Sequence, residues 1–471
     1  DGRGFPSPVF DTVGTASEIY NASGGISEFA MESYFGRINL SYLDRYILNV
    51  TMRSDGSSRF APSDRYGYFP SVSLGWNVSK ESFWKFPQTD LKFRLSYGKT
   101  GNQDGIGNYA WQPLMSGGIN YGNNSGMAVT SMGNNKLTWE TADQYDFGFD
   151  LGFWNGKLNM IADIYLKNTN NLLYSMPLHG TSGFTSITSN IGSMRNYGVE
   201  FSINGHLNIG KVNWTSSFNI SHNKNKLTKL LGDDLLPIGS NRALKVGEEL
   251  GAFYLFQMDG LYQYDGEVPQ PLYDLGVRAG DVKYHDADNN GIINDNDRVL
   301  TGSSNPDFFG GWNNTFKYKG FQLDVFFTYM YGNDVYAEWA VTATRPGYRM
   351  AITEDVAKNR WTAPGSSDKY PRAVNTLCGH NSKNSTRFLE DGSFIRLRSL
   401  TFSYTFPQVM LQKICLKGLR LYVQGDNLLL FSKYSGWDPE VSKNMDPQYF
   451  GVDLYGVPPS RSVNFGINLS F

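Results

Sequence analysis

The C-terminal stretch Ser462-Val-Asn-Phe-Gly-Ile-Asn-Leu-Ser-Phe471 alternates without a single error. Its apolar residues are Val463, Phe465, Ile467, Leu469 and Phe471. Its polar or small residues are Ser462, Asn464, Gly466, Asn468 and Ser470. Because successive side chains of a strand point to opposite faces, this pattern predicts a strand with one apolar and one polar face.

The composition indicates a large β-rich protein and excludes several classes. Of 471 residues, 15% are aromatic. The charged residues make up 18%, which is below the quarter that is usual in globular domains. A formal net charge of -2 gives no basic excess that would favour nucleic acid as a partner. No apolar run of roughly 18 residues occurs, which excludes a helical membrane protein but not a membrane barrel, whose alternating strands average out as polar. A soluble β-solenoid or sandwich array has a similar composition.

The chain has two cysteines, Cys378 and Cys415, too few for a disulfide framework. We expect them to be unbridged, because one falls in a long connection and the other in a turn at the opposite end of a strand. The opening residues lack the charged and apolar regions of a signal peptide. They are typical of the middle of a loop, so the chain is expected to be the C-terminal part of a larger protein.

Strict alternation recurs along the chain in segments of about ten residues, the length of a tilted strand that crosses a bilayer. At Arg398–Ser399 the alternation slips by one residue, which predicts a β-bulge. Thirteen strands are predicted near residues 33–43, 45–55, 69–79, 89–99, 142–154, 157–169, 195–208, 211–223, 309–319, 321–332, 393–406, 418–428 and 462–471.

Connection lengths also alternate, which is typical of an outer-membrane barrel. Short turns are predicted at Leu43-Asp44, Asn155-Gly156, Ile209-Gly210 and Lys319-Gly320. Long connections are predicted at 100–141, 170–194, 333–392 and 429–461.

The predicted fold is an all-β transmembrane antiparallel barrel. Its predicted parts are an extracellular loop over 1–32 and barrel wall over 33–471, with an extracellular excursion at 224–308 and an extracellular loop at 333–392. Single-chain bacterial barrels have even strand numbers, so an odd count again predicts a missing N-terminal part.

Six segments spread over the chain resemble the C-terminal barrel half of SusC/RagA-type TonB-dependent transporters. They are Arg53-Ser-Asp-Gly-Ser-Ser-Arg-Phe60, Leu95-Ser-Tyr-Gly-Lys-Thr-Gly-Asn-Gln103, Asn190-Ile-Gly-Ser-Met-Arg-Asn-Tyr-Gly-Val-Glu-Phe201, Asn305-Pro-Asp-Phe308, Leu389-Glu-Asp-Gly-Ser-Phe-Ile-Arg-Leu-Arg-Ser-Leu400 and Trp437-Asp-Pro-Glu440. The resemblance implies a barrel of about 22 strands filled by an N-terminal plug, within the known range of barrel sizes. The plug, the TonB box and roughly nine strands would then lie outside this chain.

The same resemblance implies active import of a large nutrient, a glycan or an oligopeptide, and no enzymatic activity. The implied partners are a SusD-like surface lipoprotein, the TonB–ExbB–ExbD complex acting through an N-terminal part, the remaining barrel and plug, and the lipid bilayer. Two alternatives stay open: a passive outer-membrane porin, and a secreted β-rich adhesin or glycan-binding protein. A porin needs no plug, and an adhesin should not keep one strand face uniformly apolar.

One motif follows the calcium-loop pattern of oxygen ligands around a tight glycine turn, here Gly291. The predicted Ca²⁺ ligands are Asp286, Asp288, Asn290, the carbonyl of Ile292, Asn294 and Asp297. The last ligand is Asp where Glu is usual, and its shorter side chain reaches an ion with one oxygen. A polar turn without an ion is the alternative. The predicted role of the ion is structural.

No catalytic motif is found, and no catalytic residue is predicted. The five histidines lack metal-ligand spacing, and Asp146 and Asp150 alternate with apolar residues as lumen-facing groups do. Aromatic residues of the long connections are candidates for stacking on a substrate, with packing inside the loops as the alternative. These candidates are Trp111, Tyr121, Trp361 and Tyr370.

Overall fold

The structure is a computed structural model that describes residues 2–3, 18–19, 26–117, 127–232, 235–347, 350–374, 379–411, 416–443 and 449–471. Tyr121, Cys378 and Cys415 lie outside these residues, so the predictions made for them stay predictions.

Thirteen strands form one continuous antiparallel sheet in which each strand pairs with its neighbours in sequence. Alternating residues favour this meander, because each pair of strands can meet through a local turn or loop without a crossover. The strands are β1 (Met31–Tyr42), β2 (Tyr46–Ser57), β3 (Tyr66–Asn77), β4 (Thr89–Asn102), β5 (Glu140–Phe153), β6 (Leu158–Pro177), β7 (Ser186–Ile209), β8 (Val212–Leu230), β9 (Phe308–Tyr318), β10 (Phe321–Tyr331), β11 (Phe394–Thr405), β12 (Gly418–Ser432) and β13 (Ser462–Ser470). All thirteen predicted strands are confirmed.

The two ends of the sheet differ in the length of their connections. Because every pairing is antiparallel, alternate connections meet at the same end. One end, here called the turn end, carries the short turns after β1, β5, β7 and β9 that the sequence predicts. The other, here called the loop end, carries the connections 103–139, 231–307, 332–393 and 433–461.

The two faces of the sheet reverse the burial pattern of a soluble protein. Apolar residues of the alternating sets are exposed, with 49% of Leu74 and 82% of Phe465 accessible. The polar residues between them, such as Ser73, are half-buried. We call these the apolar face and the polar face; a wide exposed apolar face requires a nonaqueous neighbour. Within the described residues, no helix has both the length and the apolar character needed to cross a membrane.

The predicted long connection at 170–194 is wrong, because β6 and β7 run through most of it and meet at a turn over 178–185. The pairing register shifts around Asn171, whose φ is 59°. Beyond this shift, Leu172, Tyr174 and Ile191 pack in one apolar cluster, which supports the ladder where alternation no longer marks it.

The predicted bulge is confirmed. Arg398 has no partner in either ladder, since Leu397 and Ser399 are consecutive in the pairing with both β10 and β12. An extra residue in one strand bends the strand and increases its twist. This bend lies beside the connection 433–461, to which Arg398 is bonded through Glu440.

The segments outside the main sheet contain short elements of their own, most of them in the connections at the loop end. Outside the main sheet the described strands are Gly2–Arg3, Glu18–Ile19, Leu114–Gly117, Met127–Ser131, Leu235–Ile238, Arg242–Lys245, Ala252–Phe256, Met258–Leu261, Val282–Tyr284, Arg298–Ser303, Asp334–Ala337, Leu389–Asp391 and Val452–Asp453. The described α-helices are Gln270–Asp274, Glu338–Ala343, Glu354–Asn359 and Gln408–Leu411. The described 3-10 helices are Val78–Lys80, Gly180–Ser182, Asp265–Glu267, Asp295–Asp297, Gly379–Ser382 and Thr386–Phe388.

Three connections, 231–307, 332–393 and 433–461, pack into one unit that we call the loop-end body. Strand Asp334–Ala337 pairs antiparallel with Leu389–Asp391 and parallel with Val452–Asp453, which joins two of the connections. Phe253, from the third connection, lies in the same buried cluster as Tyr336. The long connections are therefore a packed structure with a core.

Candidate functional site

The loop-end body holds the functional candidates, and its core sets their positions. Tyr336 and Phe253 are fully buried, with ring centroids 6.0 Å apart. Tyr434 donates a hydrogen bond to Asp453 at 2.7 Å, and burial raises the pKa of the Tyr434 hydroxyl. Buried rings with bonded hydroxyls give this body a defined shape.

The acidic loop 286–297 closes on itself through backbone donors. Asp286 accepts hydrogen bonds from the N–H of Gly291 at 2.7 Å and of Asn290 at 3.1 Å. Asp297, at the far end of the loop, accepts from the N–H of Ala287 at 2.9 Å and of Asn294 at 2.8 Å. Both carboxylates are therefore held on the inside of the loop.

The turn depends on two residues with positive φ, Asn289 at 56° and Gly291 at 77°. Asn and Gly are the residues that adopt this conformation at least cost. The resulting N–H groups point at Asp286, and the Gly291 N–H above all lowers the pKa of that carboxyl. Asp286 is thus ionised at neutral pH, as a ligand for a cation must be.

The donor set of this loop fits a hard cation. Oxygens of Asp286, Asp288 and Asp297 all lie within 4.8 Å of one another. Ligands on opposite sides of Ca²⁺ are separated by about twice the 2.3–2.6 Å metal–oxygen distance, so the carboxylates converge at the required spacing. Asn290 and Asn294 accept hydrogen bonds from the loop backbone through their side-chain oxygens, which fixes their orientation.

Asp295, the fourth acid of this loop, does not join the cluster. Its exposed carboxylate pairs with the Arg298 guanidinium at 3.2 Å. Ile293 of the acidic loop lies in a second buried cluster with Leu272 and Tyr284, so the loop rests on the loop-end body.

A buried charge pair beside the second buried cluster was not predicted from the sequence. Asp281, with 4% of its surface exposed, accepts two hydrogen bonds of 2.9 Å from Arg372 and one of 2.8 Å from Asn381. A bidentate, hydrogen-bonded pair satisfies a buried carboxylate. Arg372 and Asn381 are 91 and 100 residues away from Asp281 in sequence. No local sequence pattern therefore indicates that these residues meet.

The candidate aromatic residues occupy different environments. The Trp361 indole donates to Gln263 at 3.2 Å and packs on the second cluster, and Tyr370 is buried and donates to Asp355 at 2.6 Å. Trp111 is half-buried in the connection 103–139. Trp361 and Tyr370 thus take part in packing, and a role in substrate binding stays a prediction for all of these residues.

The polar face of the sheet carries charge pairs that bridge strands. Arg94 on β4 lies 3.0 Å from Asp150 on β5 and 2.9 Å from Asp163 on β6. Arg94 and Asp163 lie in one row with Gly148 between them, and Asp150 is two residues further along β5. They are a structural charge network, in keeping with the expectation that Asp150 faces a lumen.

A family model described as TonB dependent receptor-like, beta-barrel matches residues 2–428. A TonB-dependent receptor of Formosa agariphila is 34% identical over 471 residues, covering 95% of this chain and 46% of the relative. TonB-dependent receptor SusC of Bacteroides thetaiotaomicron is 31% identical over 470 residues, covering 93% and 43% respectively.

Among solved structures, that of the RagAB peptide transporter matches with a TM-score of 0.83 and 27% identity. The match covers 99% of this chain and 51% of that chain. The chain thus spans about half the length of the relatives it matches. With the open sheet, its exposed apolar face and its loop-end body, these matches lead to one conclusion: the chain belongs to the TonB-dependent receptors, a family of receptors and not of enzymes, and forms part of their outer-membrane β-barrel.

Proposed function

We propose that the chain forms wall and loop-end body of an outer-membrane importer for a large nutrient, a glycan or an oligopeptide. One observation carries the proposal: 99% of the chain superposes on a protein described as a peptide transporter. The similarity to SusC supports the same class of activity. No bond is broken in this function, so the chain needs only to shape a path and bind its cargo.

The proposed partners follow from the same similarities. The loop end faces outside the cell, where the loop-end body meets a SusD-like lipoprotein that covers the bound nutrient. The polar face surrounds a plug, and TonB–ExbB–ExbD supplies energy through that plug. Strands β1 and β13 are the two edges of the sheet and pair with further strands of the complete barrel.

Uptake by cells tests this function. Cells that produce the complete transporter are given an isotope-labelled oligopeptide pool or an isotope-labelled glycan pool. We expect uptake of one pool, and its loss when the TonB gene is deleted. Uptake that is unchanged without TonB would contradict the proposal and favour a passive porin. Purification of the protein from the medium without detergent would contradict it and favour a secreted adhesin.

We also propose that the acidic loop binds Ca²⁺ as a structural ion. Three converging carboxylates in a glycine turn support this proposal, and the like charges would repel one another without a cation. The ligands are Asp286, Asp288, Asn290, the Ile292 carbonyl, Asn294 and Asp297. The ion holds the connection 231–307 in one shape for the lipoprotein to meet.

Calorimetric titration of chelator-treated protein with CaCl₂ tests the ion site. Asp288→Asn should weaken binding at least about tenfold, since it removes one charged ligand. Asp295→Asn is the matched control, because Asp295 is exposed and paired with Arg298 outside the cluster. Chelation should also increase proteolysis within 263–308. Equal Ca²⁺ affinity in both variants, or no binding in the unmodified protein, would rule out the site.

A further inference from the structure

A cavity of about 400 Å³ lies between the main sheet and the loop-end body, and its chemistry is unusual. Its lining is mostly aliphatic and includes Leu172, Ile191, Leu227 and Leu244. One charged residue, Arg242, lines the same cavity. The volume is within the range of pockets that bind small organic molecules.

The Arg242 guanidinium is buried without a counter-ion among the described residues. Only 8% of its surface is exposed, and it bonds neutral groups: the carbonyls of Gly251 and Phe450 and the hydroxyl of Ser304. The bonds to Gly251 and Ser304 are long, 3.4 and 3.3 Å, and the Nε–H has no acceptor. Desolvation lowers the pKa of Arg242 to about 10, which still leaves it charged at neutral pH.

A buried cation of this kind is costly unless an anion neutralises it. Arg396 of β11, which is also buried, has such a partner: it pairs with Asp438 at 2.6 Å. Arg242 differs in lacking one while lining a cavity. This combination indicates that the missing partner is a ligand.

The cavity lies on the polar face of the sheet. Asn196 on β7 and Asn225 on β8 are directly paired and both line it. Along β7, Asn196 alternates with Tyr197, which is exposed on the apolar face. A ligand in this cavity is therefore on the side of the sheet that faces the import path.

We propose that this cavity binds a branched aliphatic carboxylate, with the carboxylate on Arg242 and the aliphatic group among Leu172, Ile191 and Leu227. This inference rests on the proposed import function for its biological meaning, and it names the substrate class. Two sources share the chemistry: the C-terminal residue of an oligopeptide that ends in an aliphatic side chain, and a free branched-chain acid. A neutral sugar fits poorly, because an aliphatic lining offers few partners for its hydroxyls.

Binding to the purified complete protein in a neutral detergent tests the proposal without any transport step. The probes are 4-methylpentanoate, its neutral amide, and N-acetylglycyl-leucine with its neutral amide. We expect the acids to bind and each amide to bind at least about tenfold more weakly, because the charge-assisted bond to Arg242 is lost. Tighter binding of the dipeptide identifies a peptide end as the source, and tighter binding of 4-methylpentanoate identifies a free acid.

Variants locate the site. Arg242→Met should weaken binding of the acids at least about tenfold, and Arg242→Lys should fall between Arg242→Met and the unmodified protein. Lys245→Met is the matched control, since Lys245 lies on the same short strand but is exposed. If Arg242→Met fails to fold, Asn225→Asp replaces it: an aspartate keeps the acceptor for the Leu250 N–H, and its charge should repel the acids but not the amides.

Three results would overturn the proposal: no binding of either acid, equal binding of acid and amide, or unchanged binding in folded Arg242→Met or in Asn225→Asp. None of them depends on TonB, so they are separable from a failure of the import function. Conversely, binding of the acids by a protein that shows no TonB-dependent uptake would leave this site standing and overturn the importer.

Discussion

Arg396 donates a hydrogen bond to Asp438 across 2.6 Å, with only 3% and 5% of their side chains exposed. Arg396 also lies 3.0 Å from Glu440, which in turn pairs with Arg398 at 2.9 Å. Two arginines of β11 therefore hold two acids of the connection 433–461. This contact joins the main sheet to the loop-end body through one buried ion pair, Arg396–Asp438, and one partly exposed pair, Arg398–Glu440.

Asp438→Ala should detach this connection. Removing one partner of a buried ion pair costs about 3–5 kcal/mol when the other charge is left unpaired; here we expect a smaller loss, because Glu440 still lies 3.0 Å from Arg396. We expect faster hydrogen exchange across 433–461 in detergent-solubilised protein. Glu354→Ala is the control, since it removes an exposed ion pair with Lys358 and should change local stability by no more than about 1 kcal/mol. Equal effects of the two substitutions would contradict the buried role of Asp438.

Leu74→Arg tests the assignment of the two faces. An arginine on the lipid face near the bilayer midplane should destabilise the protein by about 2–4 kcal/mol, measured by urea unfolding in lipid vesicles. Ser73→Arg places the same charge on the polar face one residue away, and we expect a much smaller effect. A spin label at residue 74 should be accessible to oxygen and shielded from water-soluble reagents. A larger loss of stability for Ser73→Arg would reverse the faces.

Gly280→Ala should disturb the second buried cluster. Gly280 has φ 85°, and an added Cβ would lie 2.3 Å from the Trp361 ring and 2.9 Å from Arg372. Gly276 has φ 92° with open space around it, so Gly276→Ala carries only the cost of the backbone conformation, about 1–2 kcal/mol. Differential scanning calorimetry should show a clearly larger fall in melting temperature for Gly280→Ala. Equal falls would show that the close approach of Trp361 is unimportant.

Acidification should loosen the strand Val282–Tyr284. Burial lowers the pKa of His380, whose Nε2 donates to the Val282 carbonyl at 2.8 Å; Asp281 opposes this shift and Lys383 adds to it. A lowered folded-state pKa gives stability that is present above the unfolded value of about 6.5 and is lost as the pH falls below it. The protection factors of this strand against hydrogen exchange, corrected for the intrinsic pH dependence of the exchange rate, should therefore fall as the pH drops below about 6.5. The pH dependence should shrink in His380→Asn, and greater protection at the lower pH would contradict the assignment.

The strands of the main sheet could be predicted because lipid and lumen act as two different solvents along each strand. That contrast produces the error-free alternation of 462–471 and marks even the bulge at Arg398. The loop-end parts of β6 and β7 were not predicted, because the contrast between lipid and lumen ends beyond the bilayer. Asn170 and Asn171 resemble a loop, although Asn170 is paired with Ser193 in the ladder.

The candidate site was only partly predictable. The acidic loop is a local motif, so its spacing alone brings Asp286 and Asp297 together. Arg242 and Asp281 belong to no local pattern, and their environments depend on segments far away in sequence. Arg242 contacts Phe450, which is 208 residues away. Only the packing of separate connections shows which of these charges has a partner.

Labelling of intact cells tests the membrane orientation most directly. Single cysteines replace Val457 at the loop end, 94% exposed, and Leu43 at the turn end, 62% exposed, in a protein whose Cys378 and Cys415 are serine. A membrane-impermeant maleimide should label residue 457 on intact cells and residue 43 only after the outer membrane is opened. Labelling of residue 43 and protection of residue 457 on intact cells would contradict a wall of thirteen strands with its large connections outside the cell.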